Sequence, residues 1–172
     1  GTIGLNTHGT GNATVVNDAG LSFAASTVGG NLVATATTGN IADTGVLAIT
    51  GTSSFTTSAR DATIALNDTS NAFAGAVALS TAGSSGNALI DNGTTALNIA
   101  ASSVGGNLTL TSGNASGITD SGTVTVGGNL AATTDANNGL INLGTLAVDG
   151  TVQLTTNGSG NATVVNDAGL NF

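Results

Sequence analysis

The apolar and polar positions of this chain repeat around a glycine. Apolar side chains predominate two residues before each such glycine and two and four residues after it, and a polar side chain stands five residues after it. Alternation with a period of two is typical of a β-strand with one buried face. The repeated glycines are Gly30, Gly51, Gly75, Gly106, Gly128 and Gly150, with an earliest copy at Gly1. Each copy therefore predicts strands on either side of a glycine corner.

The spacing of these glycines reveals two longer periods. Their sequence numbers differ in turn by 29, 21, 24, 31, 22 and 22, and these intervals divide into triplets of 74 and 75. The longest period is visible directly, because GNATVVNDAGL occurs at residues 11–21 and again at residues 160–170. We interpret residues 1–74 and 75–149 as two half-repeats of three coils each. Residues 150–172 then begin the next repeat, and the chain 1–172 is one segment of a longer array.

Turn signals separate the strands. Five Asp-x-Gly corners are present, in which we expect the carboxylate to bond the backbone two residues on and the glycine to take a positive φ. They begin at Asp18, Asp43, Asp91, Asp120 and Asp167. A unit of about 22 residues with three short strands, and without a helical period, predicts an all-β, right-handed parallel β-helix, or β-solenoid. We expect the two longest intervals to contain bulging loops, at residues 8–11 and 84–86.

The composition excludes several classes of partner. Charged residues make up only 6% of the chain, with one Arg, no Lys and nine Asp, and the formal net charge is −8. A cationic surface for nucleic acid or anionic lipid is therefore not expected. The absence of Cys excludes disulfides and thiolate metal sites. Hydrophobic residues make up 40% of the chain, which argues against disorder, and the longest apolar stretch is far too short to insert into a membrane.

A catalytic site is the remote alternative, because parallel β-helices also occur in polysaccharide-active enzymes. Such sites need clustered carboxylates with a base or a cation among them. Here most Asp residues stand at glycine corners, and His8 is replaced by Asn157 in the second copy of its segment. Arg60 and Asp61 are adjacent and are expected to form a solvated pair. We therefore predict no enzyme, no catalytic residue, no cofactor and no metal.

Hydroxyl groups provide the one candidate binding face. The fifth position after the glycine is Thr or Ser in six copies, and equal positions of a solenoid form rows along its axis. A flat array of hydroxyls and methyls can bind ice or a repetitive glycan, although Thr is also a favourable outward-facing residue in any strand. The candidate face consists of Thr35, Thr56, Ser80, Thr111, Thr133 and Thr155.

Three segments, at residues 25–36, 70–81 and 118–134, carry a family resemblance; the last reads ITDSGTVTVGGNLAATT. They resemble the β-strand repeats of giant bacterial surface proteins, the filamentous-haemagglutinin-like adhesins exported by two-partner secretion or autotransport. The resemblance implies a β-helical shaft in a secreted fibre at the bacterial cell surface. Our primary hypothesis is a non-catalytic, extracellular structural segment. Its expected partners are neighbouring repeats or end-to-end copies of itself, with a cell-surface glycan as the ligand of the alternative binding module.

Overall fold

The computed structural model describes residues 1–135, 138–167 and 169, and these form twenty strands. The first ten are β1 (Ala13–Asn17), β2 (Leu21–Phe23), β3 (Ser26–Val28), β4 (Leu32–Ala36), β5 (Ile41–Asp43), β6 (Leu47–Ile49), β7 (Ser53–Arg60), β8 (Ile64–Leu66), β9 (Ala72–Phe73) and β10 (Val77–Ala82). The second ten are β11 (Ala88–Asp91), β12 (Leu97–Ile99), β13 (Ser102–Val104), β14 (Leu108–Ser112), β15 (Ile118–Asp120), β16 (Val124–Val126), β17 (Leu130–Thr134), β18 (Ile141–Val148), β19 (Val152–Thr155) and β20 (Ala162–Asn166).

The strands form three sheets, and the pairings between them are parallel. A ten-stranded sheet contains β1, β4, β7, β10, β12, β13, β15, β16, β18 and β20. A seven-stranded sheet runs β2-β5-β8-β11-β14-β17-β19, and a three-stranded sheet runs β3-β6-β9. Each strand pairs with the strand one coil further along the chain. The molecule is therefore an all-β solenoid of about seven coils, with about 22 residues and three strands per coil, which confirms the predicted fold class.

The core is a column of inward-facing side chains from all three sheets. Alternate residues of most strands are fully buried, as the period-two pattern predicts. Three phenylalanines pack together within the core: the Phe55 ring lies 6.4 Å from Phe23 and 5.8 Å from Phe73 between ring centres, both edge to face. These rings come from β7, β2 and β9, one strand of each sheet, so the aromatic cluster joins the three sheets to each other.

The number of coils differs from the prediction of six. The two longest intervals, which precede Gly30 and Gly106, do not contain bulging loops, because each includes an extra corner. The Gly30 N–H donates to the Gly11 carbonyl (2.9 Å) and the Gly106 N–H donates to the Gly86 carbonyl (3.0 Å). Gly11 and Gly86 therefore occupy the corner one coil below. The chain turns there tightly, through hydrogen bonds from Gly11 to His8 and from Gly86 to Gly83.

Because of these extra corners, the repeated glycine does not precede strands of the same sheet throughout the chain. The corners at Gly30, Gly51 and Gly75 precede β4, β7 and β10 of the ten-stranded sheet. The corners at Gly106, Gly128 and Gly150 precede β14, β17 and β19 of the seven-stranded sheet. Each half-repeat is thus three coils plus about half a coil, and the added half lies between Gly1 and Gly11 or between Gly75 and Gly86. Two half-repeats supply the seventh coil.

One full repeat, residues 1–149, brings the chain back to the sheet where it began. The path β1-β4-β7-β10-β12-β15-β18-β20 takes seven steps from β1 to its sequence copy β20. The first residue of β1 is in register with Val77, which pairs with Ile99 of β12. The first residue of β20, Ala162, is in register with Leu97 of β12, through Ile141 and Ile118. The copy is therefore displaced by two residues. A displacement by an even number keeps every inward side chain inward.

An asparagine amide closes each half-repeat. The Phe73 N–H of β9 donates to Asn92 Oδ1 (2.7 Å), and Asn92 Nδ2 donates to the Phe73 carbonyl (3.2 Å). Asn166 repeats this arrangement on Val148 of β18, at 2.9 and 3.2 Å. A side-chain amide has the donor and the acceptor of a peptide group, so it takes the place of the next strand. The three-stranded sheet ends at β9 for this reason.

Glycine is required at the corners chiefly because adjacent coils approach closely. A Cβ at Gly51 would lie 2.6 Å from the Gly30 carbonyl carbon, and a Cβ at Gly122 would lie 2.8 Å from the Ala101 nitrogen. A positive φ occurs at Gly93, but not at the glycines of the Asp18, Asp43 and Asp120 corners. The expected reason for glycine was therefore wrong at those three corners.

Candidate functional site

The six candidate hydroxyl residues form two rows, on two different sheets. Thr35, Thr56 and Ser80 are register partners on β4, β7 and β10 of the ten-stranded sheet. The other three lie on the seven-stranded sheet and are Thr111, Thr133 and Thr155. All six side chains point outward, as predicted, but the expected single row is wrong. The half-coil added at the middle of the repeat separates the two sets.

The row on the ten-stranded sheet continues through residues that the sequence analysis missed. Ser80 pairs with Ser103 of β13, and Ser103 pairs with Thr125 of β16. The row is therefore Thr35, Thr56, Ser80, Ser103 and Thr125, which we call the hydroxyl row. Neighbouring strands are about 4.8 Å apart, so its hydroxyls follow one another at that spacing. In sequence, Ser103 and Thr125 stand before the repeated glycine of their coil rather than five residues after it. They align with Ser80 only because the repeated glycine lies next to a different sheet in these coils.

The hydroxyl row borders a shallow groove of about 410 Å³. The groove lies where β10 passes beneath the bend between β12 and β13. Its polar lining comes from Ser54, Ser80, Ser102, Ser103 and Thr123, and none of its lining residues is charged. Within the residues that the structure describes, no protein group bonds the five hydroxyls of the row. These hydroxyls are available to water or to a neutral polar ligand.

The row on the seven-stranded sheet begins at a carboxylate, because Asp91 is the register partner of Thr111. Burial raises the pKa of the Asp91 carboxyl above its ordinary value. The hydrogen bond from the Gly93 N–H (2.9 Å) opposes this rise, and the charges of Asp135 and two further carboxylates add to it. This row therefore combines hydroxyls with one carboxylate that takes up a proton more readily than usual.

Several carboxylates at or near the corners accept hydrogen bonds from backbone N–H groups. Asp91 bonds the N–H two residues on, as predicted for the Asp-x-Gly corners. Asp43 instead accepts from the N–H groups of residues 67 and 68 and from Asn71 Nδ2, one coil further on. Asp120 does the same for Gly144 and Thr145. These two corners are tied to the next coil rather than closed on themselves, which corrects the prediction for them.

His8 and Arg60 lie on the surface. The His8 carbonyl accepts the Gly11 N–H, and the Asn157 carbonyl accepts the Gly160 N–H in the same way, so the turn does not depend on the imidazole. Arg60 Nε lies 3.5 Å from the Asp61 carboxylate, and the Arg60 side chain is 82% exposed. In residues 1–135, 138–167 and 169, no three His, Cys, Asp or Glu side chains are grouped as metal ligands. No helix in this part of the chain has the length and apolar character needed to cross a membrane.

Comparison with known proteins assigns a family through the repeats themselves. The family described as repeats of unknown function (DUF5649) matches residues 10–80 and residues 85–143. Each match begins directly before a corner glycine, Gly11 or Gly86, which is the same point of each half-repeat. No curated protein matches the chain, and no solved structure matches it. The matches cover most of the sequence, and the chain therefore belongs to the family of repeats of unknown function, DUF5649.

Proposed function

We propose that this chain is a structural shaft segment of an extracellular bacterial surface fibre, without catalytic activity. The observation that carries the proposal is the closure of the repeat: residues 1–149 form seven coils and return the chain to the sheet where it began. A further copy can therefore continue the same solenoid without a break. The resemblance to filamentous-haemagglutinin-like repeats supports a location at the bacterial cell surface.

The mechanism of such a shaft is mechanical. Each coil presents a continuous row of backbone donors and acceptors to the next coil, together with an apolar core. The core residues Leu110 and Ile90, for example, are register partners in adjacent coils and are almost completely buried. Length then grows in proportion to the number of repeats, because every coil contacts only its neighbours. The natural partners of the segment are other copies of the repeat.

The low charge of the chain suits this role. Ion pairs play little part in the fold, since Arg60 supplies the only cationic side chain besides His8. Corner amides and carboxylates hold the coils together instead, through bonds such as those from Gly144 to Asp120 and from Asn129 to Asn107. Salt screens charge pairs at the surface much more than it weakens a buried core. The shaft should therefore keep its shape over a wide range of salinity.

A tandem chain tests the proposal. We would join residues 1–149 to a second copy, residues 1–172, and compare its length and cross-section with those of the single chain by electron microscopy and X-ray scattering. The expected result is a straight rod that is longer by about 34 Å, seven coils at about 4.8 Å each, with an unchanged cross-section. Two compact bodies joined by a hinge would contradict the proposal. Antibody labelling of intact source cells tests the extracellular location.

The hydroxyl row supports a second candidate function, a binding module for ice or a repetitive neutral glycan. Its support is the combination of five aligned hydroxyls with the uncharged groove beside Ser80 and Ser103. Thr56→Lys with Ser103→Lys places two charges in this row, whereas Thr111→Lys with Thr133→Lys alters the row on the other sheet. Thermal hysteresis or glycan-array binding that only the first pair abolishes would favour this function. Equal loss in both variants, or no binding by the wild type, would exclude the hydroxyl row as the site.

A further inference from the structure

Asparagine side chains stand one above another at the glycine corners of the solenoid. The Asn107 N–H donates to Asn87 Oδ1 (2.7 Å), and Asn107 Oδ1 accepts the Asn129 N–H (2.8 Å). Asn12 is held in the same way, since its Oδ1 accepts the Asn31 N–H (2.7 Å). Within the part of the chain that the structure describes, no protein group bonds Nδ2 of Asn12 or Asn107, and both side chains are exposed. Each amide is thus fixed by its oxygen alone.

Asn12 and Asn107 also carry a threonine two residues further on. Asn12-Ala-Thr and Asn107-Leu-Thr are N-x-S/T sequences, the acceptor signal for an N-linked sugar. In both, the middle residue points toward the core, and Thr14 or Thr109 points outward from the strand. Asn161 is the copy of Asn12 in the next repeat. The amide and the hydroxyl of the acceptor signal therefore both lie on the outside of the coil.

The remaining N-x-S/T sequences are poor acceptors in this fold. Asn92 is completely buried, and its Nδ2 donates to three backbone carbonyls. Asn114 Nδ2 donates to a backbone carbonyl as well (2.8 Å). Asn67 is exposed but lies among carboxylates, because Asp68 follows it and Asp43 accepts its backbone N–H (3.0 Å). A sugar donor that carries a negative diphosphate is repelled at such a place.

We infer that the Nδ2 atoms of Asn12 and Asn107 are acceptors for an N-linked sugar, supplied by a donor with a diphosphate on the anomeric carbon of the sugar. A bond forms between Nδ2 and that carbon, the bond from that carbon to the diphosphate oxygen breaks, and the diphosphate leaves with the electron pair. The amide gives one proton to a base of the transferase. This inference rests on the proposed extracellular function, because the acceptor signal operates in secreted proteins.

The fold accepts a sugar at Asn107 without losing a contact between coils. A glycosylated amide keeps its carbonyl oxygen, so Asn107 Oδ1 still accepts the Asn129 N–H. A sugar on Asn92 would instead separate its Nδ2 from the buried carbonyls that it bonds. N-linked sugars are bulky and solubilising, and they would add neutral hydroxyls to a chain in which only 6% of the residues are charged. The corner therefore combines access with an unchanged coil.

Peptide mass spectrometry of the protein purified from the cells that produce it tests the inference. We expect the added mass of a sugar on Asn12 and on Asn107, and none on Asn92. Asn129 is the matched control, because its Oδ1 also accepts a backbone N–H of the next coil (2.9 Å) but Ala131 stands two residues further on. Asn129 should be unmodified in the wild type.

Two substitutions, expressed in the same cells, separate a specific acceptor from sugars attached at random. Thr109→Val keeps an outward β-branched side chain and removes the hydroxyl, so Asn107 should lose its sugar while Asn12 keeps it. Ala131→Thr completes the acceptor signal at Asn129, which should then gain a sugar. The inference is overturned by an unmodified Asn107 in the wild type, by a sugar on Asn107 that survives Thr109→Val, or by an unmodified Asn129 in Ala131→Thr.

The sugar acceptor and the shaft function fail separately. Unmodified Asn107 in protein that antibody labelling places at the cell surface would overturn the acceptor and leave the shaft intact. A sugar on Asn107, together with a tandem chain that forms two hinged bodies, would overturn the shaft alone.

Discussion

At the residue scale, short polar side chains hold the corners of the coil by bonding the backbone of an adjacent coil. The Asn107 N–H donates to Asn87 Oδ1 (2.7 Å), and Asn107 Oδ1 accepts the Asn129 N–H (2.8 Å). Carboxylates do the same at Asp43 and Asp120. Corners interrupt the strand ladder, and these bonds supply the backbone groups with the partners that the ladder lacks there.

Asp91 is the corner residue whose charge opposes folding, because burial raises the pKa of its carboxyl. The folded protein then holds this proton more tightly than the unfolded chain. The contribution of Asp91 to the free energy of unfolding therefore falls as pH rises through the folded pKa. Asp91→Asn keeps an oxygen for the Gly93 N–H and removes the charge. We expect this variant to be more stable than the wild type at about pH 7 and equally stable at about pH 3, by urea unfolding followed by circular dichroism.

Asp18→Asn is the matched control for this pH experiment, because it removes a charge from an exposed corner of the same kind. An equal gain in stability from Asp18→Asn would show that relief of the net charge of −8, rather than burial of Asp91, is responsible.

At the element scale, the asparagine amide that ends a sheet replaces a strand. Asn92 is fully buried, and its Nδ2 also donates to the Ala96 carbonyl (2.9 Å). Asn92→Ala would leave the buried N–H and carbonyl of Phe73 without partners, so we expect the free energy of unfolding to fall by about 3 kcal/mol or more. Asn107→Ala removes an exposed amide and should lower it by about 1 kcal/mol. Thermal and urea unfolding of both variants test the difference.

Equal losses from Asn92→Ala and Asn107→Ala would contradict the role of Asn92 as a strand substitute. In that case the end of the three-stranded sheet at β9 would have to be explained by the turn that follows β11.

The strands could be predicted from the sequence far better than their arrangement. Inward and outward positions such as Leu108 and Thr109 follow from local alternation, which is a property of neighbouring residues. The split of the candidate face could not be predicted from the repeated segments alone, because Thr56 and Thr111 have the same local sequence position. It depends on Gly86 occupying a corner beneath Gly106, and Gly86 departs from the pattern of the other corners because Ser84 stands two residues before it and Asp91 five residues after it.

At the scale of the whole molecule, stability should vary along the axis, because each coil contacts only its neighbours. Leu110 and Leu154 occupy one column of the seven-stranded sheet, two coils apart, through Ala132. Leu110 is buried between two coils, whereas Leu154 is half-buried. Leu110→Ala should lower the free energy of unfolding by about 2–5 kcal/mol. Leu154→Ala should accelerate hydrogen exchange mainly in β19 and β20.

Native-state hydrogen exchange followed residue by residue distinguishes the two variants. If Leu154→Ala increased exchange in β4 and β7 as much as in β19, the solenoid would unfold as one cooperative unit, and the nearest-neighbour description would not apply.

The return of the chain to its starting sheet after one full repeat has a consequence for how such a gene can change. Recombination between identical copies inserts or deletes whole repeats. Seven coils then enter or leave together, and every remaining coil keeps the upper and lower neighbours to which its side chains are fitted. If the chain is the shaft segment proposed above, genes that encode different numbers of full repeats should therefore need no compensating substitutions. Loss of a single half-repeat, by contrast, would place β10-type strands beneath the wrong corner and should be eliminated by selection.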